Sequence, residues 1–322
     1  MRVLVTGATG FVGSHLIEGL RRANHEIAAL VRSPGKTAAL MALGVEQVRG
    51  HLGDAEALAR AAAGRDVVFH VAGLTAALDE AEYLCANRDG TRTLIEAAER
   101  GGVGRFVYVS SMAAAGPAPR GQPLRGDEPP GPVTAYGRSK LAGESVVRAS
   151  RLPWTIVRPP MVYGPRDREV LKVFRLARFG VGPVFGDGTQ ELSAVHASDL
   201  AAALLAVAGA QAAVGATYYP AHPEVFTSAA FVRAVGRAAG RRVRVVRIPL
   251  PLGQLALAAT GAAARAAGQA TILNADKANE FFQAAWTGDP ARLASDTGWQ
   301  AEHDLASGLA DTWQWYRSAR WL

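Results

Sequence analysis

Glycines at positions 7, 10 and 13 interrupt the chain immediately after its first apolar run, and few features could narrow the fold further. Arg2-Val-Leu-Val-Thr6 reads as a β-strand and Phe11 to Arg22 has helical periodicity. The segment Thr6-Gly7-Ala8-Thr9-Gly10-Phe11-Val12-Gly13 therefore joins a strand directly to a helix. Gly7 permits a tight turn, Gly10 lets backbone N–H groups approach a pyrophosphate, and Gly13 lets the helix pack closely on the strand. Gly7, Thr9, Gly10, Phe11 and Val12 are accordingly candidate dinucleotide contacts.

The next 150 residues repeat the strand–helix alternation. Further strands are expected at Glu26–Val31, Val45–Arg49, Asp66–Val71, Arg105–Val109 and Thr155–Val157. Helices are expected at Phe11–Arg22, Ala55–Ala63 and Asn87–Arg100. Right-handed crossovers then build an α/β fold, a doubly wound parallel sheet of the Rossmann type. Val67-Val-Phe-His-Val71 is nearly all apolar, as a central strand covered on both faces should be. After Arg158, Pro159-Pro160, Gly164-Pro165, Gly180 to Pro183 and Gly186-Asp-Gly188 preclude continuous regular structure. Helical patterns resume at 196–208, 227–239, 274–285 and 304–317. The expected division is a nucleotide-binding domain over 1–160, rejoined by 190–220. Residues 161–189 and 221–322 form a smaller, mostly helical substrate-binding lobe.

Charge excludes some functions. The net charge of +7 is almost wholly arginine, since only four of the 35 basic residues are lysine. The arginines are scattered, and the densest group, Arg241, Arg242, Arg244 and Arg247, alternates like a solvated strand edge rather than a nucleic-acid footprint. One cysteine, Cys85, leaves no disulfide framework or cysteine-based zinc site, and reads as a small filler on a helix. The N-terminus opens on a strand without a leader pattern, and the expected location is cytoplasmic. The apolar stretch Leu250–Ala270 contains Gln254, Arg265 and Gln269, so it reads as a buried or cleft-lining helix and not a membrane span.

Two further features carry chemistry. Tyr136 and Lys140, in Thr134-Ala-Tyr-Gly-Arg-Ser-Lys140, lie one turn apart on one helix face. With four lysines and seven tyrosines, a chance pair at this spacing is expected roughly 0.1 times. An ammonium beside a phenol favours the phenolate, easing proton transfer near neutral pH. The second strand ends in Arg32-Ser33, followed by Lys36, where an acidic residue would select the unphosphorylated ribose of NAD. A guanidinium beside a hydroxyl suits a 2′-phosphate, so NADP(H) is favoured over NAD(H).

Together these residues resemble the extended short-chain dehydrogenase/reductase family, the NAD-dependent epimerase/dehydratase-like group, over nearly the whole chain. The match includes His70-Val71-Ala72-Gly73, Asn87-Arg-Asp-Gly90-Thr91, Val109-Ser110-Ser111 with Gly116, and the Tyr136/Lys140 pair. It continues through Arg158-Pro159-Pro160-Met161-Val162-Tyr163-Gly-Pro165, Val195-His196-Ala-Ser-Asp199, Thr297-Gly-Trp299 and Trp313-x-Trp-Tyr316. The resemblance implies that Ser111, Tyr136 and Lys140 are catalytic, with Ser110 the alternative to Ser111. It implies that Leu52, Val71, Ala72, Gly73, Asn87, Ser110, Tyr136, Lys140 and Pro159–Val162 border the dinucleotide, with no metal ligand. His51 stands where the family often carries an adenine-binding Asp, leaving an adenine contact or a solvent-facing ring equally open.

The resemblance alone does not choose a substrate. Members acting on sugar nucleotides usually carry an Asn where this chain has Met161 and an Arg where it has Leu192, the groups that anchor and clamp the ligand. Thr75 and Ala76 are also small. Phe174, Phe179, Val184, Phe185 and Leu250–Ala270 could offer an apolar cleft wall. The preferred expectation is an NADP(H)-dependent oxidoreductase acting on a carbonyl or alcohol of a largely apolar small molecule. A nucleotide-sugar epimerase or dehydratase and a non-catalytic NADP-binding sensor remain the alternatives. A homodimer through the Tyr136/Lys140 helix is allowed by apolar Leu141, Val146 and Val147.

Overall fold

A computed structural model of the chain describes residues 1–33 and 37–322; Lys36 lies outside them. The strands in chain order are β1 (Arg2–Thr6), β2 (Glu26–Val31), β3 (Glu46–Arg49), β4 (Val67–His70), β5 (Arg105–Val109), β6 (Trp154–Val157) and β7 (Met161–Tyr163). They continue with β8 (Val181–Phe185), β9 (Glu191–Leu192), β10 (Ala194–His196), β11 (Ala216–Tyr218), β12 (Phe226–Thr227), β13 (Arg244–Ile248) and β14 (Ala285–Trp286). The first helices are α1 (Phe11–Arg22), α2 (Ala38–Ala42), α3 (Ala55–Ala62), α4 (Glu80–Leu84), α5 (Gly90–Arg100), α6 (Met112–Ala115) and α7 (Ala135–Arg148). The rest are α8 (Glu169–Ala177), α9 (Ala197–Gly209), α10 (Ser228–Ala238), α11 (Leu250–Ala266), α12 (Ala278–Phe281), α13 (Ala291–Thr297) and α14 (Leu305–Ser318).

Seven parallel strands in the order β11-β6-β5-β4-β1-β2-β3 form the main sheet. Its centre is β4, buried throughout, as its unbroken apolar run requires. One face packs Leu16, Leu20, Leu200 and Leu204 of α1 and α9 against Val5, Phe69 and Val107. The other packs Leu58, Leu94 and Val147 of α3, α5 and α7 against Leu4, Val68 and Phe106. The strand order places β1 beside β4, so the crevice at their C-terminal ends is a topological switch point. The late strand β11 pairs with β6 and completes the sheet edge.

The remaining chain builds a second core around Phe174, Val184, Phe231, Val235, Leu309 and Tyr316. Small sheets serve it: β8 with β13, β7 with β10, and β9 between β12 and β14. Glycines with positive φ at 164, 180, 186 and 188 make the turns that separate β7, α8, β8 and β9, so short elements occupy the interrupted stretch.

Several expectations change. The helix expected at 274–285 is broken: a 3₁₀ turn at Ala275–Lys277 precedes α12, and Ala285–Trp286 is strand β14. The helix expected from Asn87 begins earlier, at α4, and passes through a π-helical turn at Cys85–Asp89. Cys85 is exposed on that turn rather than filling an interior. Val147 is fully buried against the sheet, so it offers no dimer surface, and Val146 is half-buried beside it. The largest departure is α11, which buries only Gly253, Leu257 and Gly261.

Candidate active site

The glycine loop is built as its spacing requires. Gly7 has φ 74°, and a Cβ there would stand 2.7 Å from the Ala72 nitrogen. A Cβ on Gly13 would come within 2.1 Å of the Gly7 carbonyl oxygen, so α1 can approach β1 only with glycine at that position. At Gly10 the same test meets only the Gly7 carbonyl, at 3.2 Å. Gly10 is the N-cap of α1, and neither a capping side chain nor an acidic residue in the first turn, among the described residues, competes for its amides. The positive end of a twelve-residue helix thus opens beside an exposed loop. These residues fit the diphosphate of a dinucleotide.

A buried relay fixes the neighbouring loop. The Ala72 amide donates to Thr6 Oγ1 at 3.2 Å, and Thr6 Oγ1 lies 2.8 Å from His70 Nδ1. His70 Nε2 lies 3.0 Å from Thr91 Oγ1, which itself donates to the Asn87 carbonyl at 2.7 Å. With that donor occupied, Thr91 must accept from His70, so Nε2 carries a proton, and a Thr6 hydroxyl donating to Nδ1 makes the ring neutral. Burial drives the same way, lowering the His70 pKa to about 3, with the Lys140 charge adding to it.

Asn87 is buried in the π-helical turn, and its side chain is fully occupied. Its amide nitrogen donates to the Leu74 carbonyl and to Ser139 Oγ at 3.0 and 2.9 Å, while its oxygen accepts from the Leu74 amide at 2.8 Å. It ties the Val71–Leu74 loop to α7. A Cβ on Gly73 would lie 2.9 Å from Asn87 Oδ1 and 3.6 Å from Lys140 Nζ, so the cofactor-side loop runs against the lysine.

Helix α7 starts where a Thr N-cap would start it: Thr134 Oγ1 accepts from the Gly137 amide at 3.1 Å. That places Tyr136 on the first turn, its ring 5.9 Å from that of Tyr83. Lys140 is buried, donates to the Val109 carbonyl at 2.8 Å and sits 4.4 Å over the Tyr108 ring. Ser111 caps α6 by accepting from the Ala113 amide, and its hydroxyl is near enough to the Tyr136 phenol to favour the phenolate. The three expected catalytic side chains therefore converge at the C-terminal end of β5.

Their protonation differs from expectation. Burial pushes the Tyr136 phenol up to about 12 against the opposing Ser111 hydrogen bond, with Glu280 and Tyr83 also raising it. Burial likewise pulls the Lys140 ammonium down to about 7, against the pull of Glu144. Desolvation is the largest influence on each, and neither group shifts the other, so the assistance expected from the pair's spacing is not seen and the phenol is protonated at neutral pH.

Ser110 serves a different purpose from its neighbour. Its hydroxyl donates to Glu144 Oε1 at 2.6 Å, and Glu144 takes a bidentate pair from Arg158 at 2.8 and 2.7 Å. Arg158 also donates to Tyr219 Oη at 2.8 Å. Burial opposes its charge, but Glu144 holds the Arg158 pKa above its ordinary value. The Ser110 hydroxyl hydrogen is therefore committed to Glu144. The sequence signal for it was Glu144, one further turn along the Tyr136/Lys140 face.

The cavity beside Tyr136, of about 170 Å³, is lined by Thr75, Tyr83, Thr134, Ile272, Asn274, Asp276, Lys277 and Glu280. Asp276 accepts from the Ala135 amide at 2.8 Å, a carboxylate on the N-terminus of α7, and Glu280 accepts from Thr134 Oγ1 at 2.8 Å. Nothing in the sequence read marked this 272–280 segment as a wall of the site. The residues expected there lie elsewhere: Phe174 and Val184 are in the second core, Phe179 is 84 % exposed, and Phe185 stacks on Phe281 at 4.6 Å.

Other expected contacts are placed as follows. Arg32 and Ser33 are exposed beyond β2, whose register pairs Leu30 with Thr6, so they follow the strand end beside the glycine loop. Leu52 is half-buried and its side chain packs over Gly90. His51 is exposed and accepts from the Gly53 amide. The Pro159 carbonyl accepts from the Met112 amide; Pro160, Met161 and Val162 are half-buried, Met161 opposite Ala194. Met161 and Leu192 both pack on the second core.

Residues 3–219 match the model of the NAD dependent epimerase/dehydratase family, and the chain belongs to that family, the extended short-chain dehydrogenase/reductases. Among its relatives is the ceramide reductase of Caulobacter vibrioides, 34% identical over 321 residues, covering 99% of this chain and 96% of that protein. The 2-alkyl-3-oxoalkanoate reductase of Stenotrophomonas maltophilia is 32% identical over 241 residues, 70% of this chain and 71% of that protein. Among solved structures, MoeE5 in complex with UDP-glucuronic acid and NAD superposes with a TM-score of 0.77 at 27% identity, covering 99% of this chain and 100% of that one. The chain is thus related both to reductases and to proteins that bind nucleotide sugars.

Proposed function

We propose that the protein is an NADP(H)-dependent oxidoreductase that interconverts a carbonyl and an alcohol on a largely apolar small molecule. The convergence of Ser111, Tyr136 and Lys140 beside the glycine loop carries this reading. The sheet portion, 1–160 with 190–220, would hold the nucleotide. Residues 161–189 and 221–322 would select the substrate.

The dinucleotide, when bound, supplies or accepts the hydride. Gly7, Thr9, Gly10, Phe11 and Val12 would cradle its diphosphate, and Val71–Gly73 and Pro159–Val162 would border it. Arg32 and Ser33 would face the 2′-phosphate. A protonated Tyr136 is suited to give its proton to a carbonyl oxygen as that oxygen gains charge. Ser111 would donate a hydrogen bond to the same oxygen, and Lys140 would restore charge balance once Tyr136 has given up its proton.

Asp276 and Glu280 in the cavity wall weigh against a dianionic diphosphate sugar, as do Met161 and Leu192 at its usual anchor points. The small cavity takes a reacting head group, leaving an apolar body to extend outward. The relatives named ceramide reductase and 2-alkyl-3-oxoalkanoate reductase support a carbonyl substrate with an apolar body. The nucleotide-sugar reading draws on the likeness to MoeE5.

Measuring NADPH oxidation across a panel of hydrophobic ketones tests the activity. Turnover there, without thermal stabilisation by UDP-sugars, is the expected result; stabilisation by UDP-sugars with no ketone turnover would reverse it. Arg32→Ala should weaken NADPH binding about tenfold or more while leaving NADH binding unchanged, the size of a lost charge-assisted hydrogen bond.

A further inference from the structure

The outward side of α11 is Leu252, Leu255, Ala259, Ala262 and Ala266, with no polar side chain, although the helix is mostly exposed. Leu252 and Leu255 are 60% and 67% exposed. A helix with so broad an apolar surface is ordinarily covered over most of it, whereas this one meets the body through a narrow stripe. The exposed apolar surface extends beyond it. Alternate residues of the β8–β13 pair share a face, and on that face Val181 and Val246 are exposed while Pro183 and Ile248 are half-buried. Phe179, 84% exposed, precedes β8, and Leu250 follows β13.

The segments that build this surface are basic, and Glu169, Asp187, Glu224 and Asp276 bound them. Residues 170–186 and 225–275 contain ten of the 35 basic residues and none of the 28 acidic ones, so the rest of the chain is net acidic. Arg175, Arg178, Arg241, Arg242, Arg244, Arg247 and Arg265 are exposed, and none has an ion-pair partner among the described residues. A second copy seated symmetrically on this face would bring its own arginines against these. No helix among the described residues is long and apolar enough to cross a membrane. Exposed leucines beside unneutralised arginines match an anionic bilayer surface, which offers hydrocarbon beneath negative headgroups.

We propose that α11 and the β8–β13 face dock peripherally on an anionic lipid bilayer, with the leucines inserted and the arginines on the headgroups. The placement also serves the site. Gly261 of α11 packs on Asn274, and Gly253 on Phe282 and Phe185, so α11 backs the 272–282 segment that walls the Tyr136 cavity. Docking there would present the cavity to membrane-dissolved molecules, a deepening that rests on the proposed apolar substrate.

Flotation of the full chain with vesicles tests the docking. The protein should float with phosphatidylcholine–phosphatidylglycerol vesicles, remain unbound with phosphatidylcholine alone, and be released by salt. Leu252→Glu with Leu255→Glu should weaken binding at least about tenfold. Arg244→Ala, on the same face as Val246 and Ile248, should weaken it about fivefold. All three positions are exposed, so an unchanged melting temperature should accompany each loss. Equal binding to neutral and anionic vesicles, or no binding to either, would overturn the proposal. So would a dimer in light scattering that the double leucine variant dissociates. Binding is read without nucleotide or ketone, so its failure leaves the redox reading standing, and a silent ketone panel leaves the docking standing.

Discussion

Every residue of β4 and β5 is buried, whereas the seventeen-residue α11 buries three. Both segments are rich in apolar side chains, yet one is the middle of a sheet and the other lies on its outside. The strands are covered because helices pack on both faces of a parallel sheet. Helix α11 rests on the 272–282 segment and Phe185 through Gly253 and Gly261. Apolar composition thus reports that a surface will be covered, but not by what. The difference also divides the chemistry: the sheet's C-terminal edge assembles the reacting groups, and the lobe determines what reaches them.

The sharpest test of that division is Tyr136→Phe. It should lower turnover by about 10² to 10⁴, the usual contribution of a positioned general acid, while nucleotide binding and melting temperature stay near wild type. Retained activity would mean that the convergence at β5 is architecture alone. Next in size is Glu144→Ala, which strands Arg158 in a buried site. Urea unfolding should show a loss of about 3–5 kcal/mol. A loss below about 1 kcal/mol would show that the cluster beneath the site is not the rigid floor its geometry implies.

Lys140 gives a smaller effect with a defined sign. Burial lowers its pKa from 10.5 to about 7 in the folded protein. Between those values the unfolded chain binds a proton that the native state has released, so stability rises with pH across this window. Lys140→Met should flatten that rise in denaturant titrations at pH 7 and pH 10. An unaltered slope would assign the lysine a more solvated setting. His70 works in the same direction at lower pH, since its native value near 3 means that stability falls as pH drops below 6.5. The smallest effect is expected on α11. Leu255→Ala should change unfolding free energy by no more than about 0.5 kcal/mol, because its side chain is already in solvent. A cost of several kcal/mol would show that α11 is covered in the isolated protein, and the contrast with β4 and β5 would collapse.

Much of the sheet was legible from local pattern. The glycine spacing, the apolar run at β4 and the periodicity of α1 each depend on neighbours a few residues away, and the structure keeps them. Thr134 was likewise a readable N-cap, and with it the position of Tyr136 on the first turn of α7. The convergence of Ser111 with Tyr136 followed only from family resemblance, because nothing local relates positions 25 residues apart. The broken helix at 274–285 shows the limit: its pattern is helical, but β14 is drawn into a sheet with β9 by partners nearly a hundred residues away.

By itself, then, the sequence determined the doubly wound sheet, the glycine loop and the spacing of the Tyr136/Lys140 pair, all consequences of steric and periodic rules acting over short distances. Only the tertiary structure decided protonation, because burial of Tyr136 and Lys140 depends on what packs over them. It also separated Ser110 from Ser111, since the Glu144–Arg158 pair captures one hydroxyl and leaves the other beside the phenol. And it turned Leu250–Ala266 outward, because whether an apolar helix is core or surface depends on which partners the rest of the chain can bring to it.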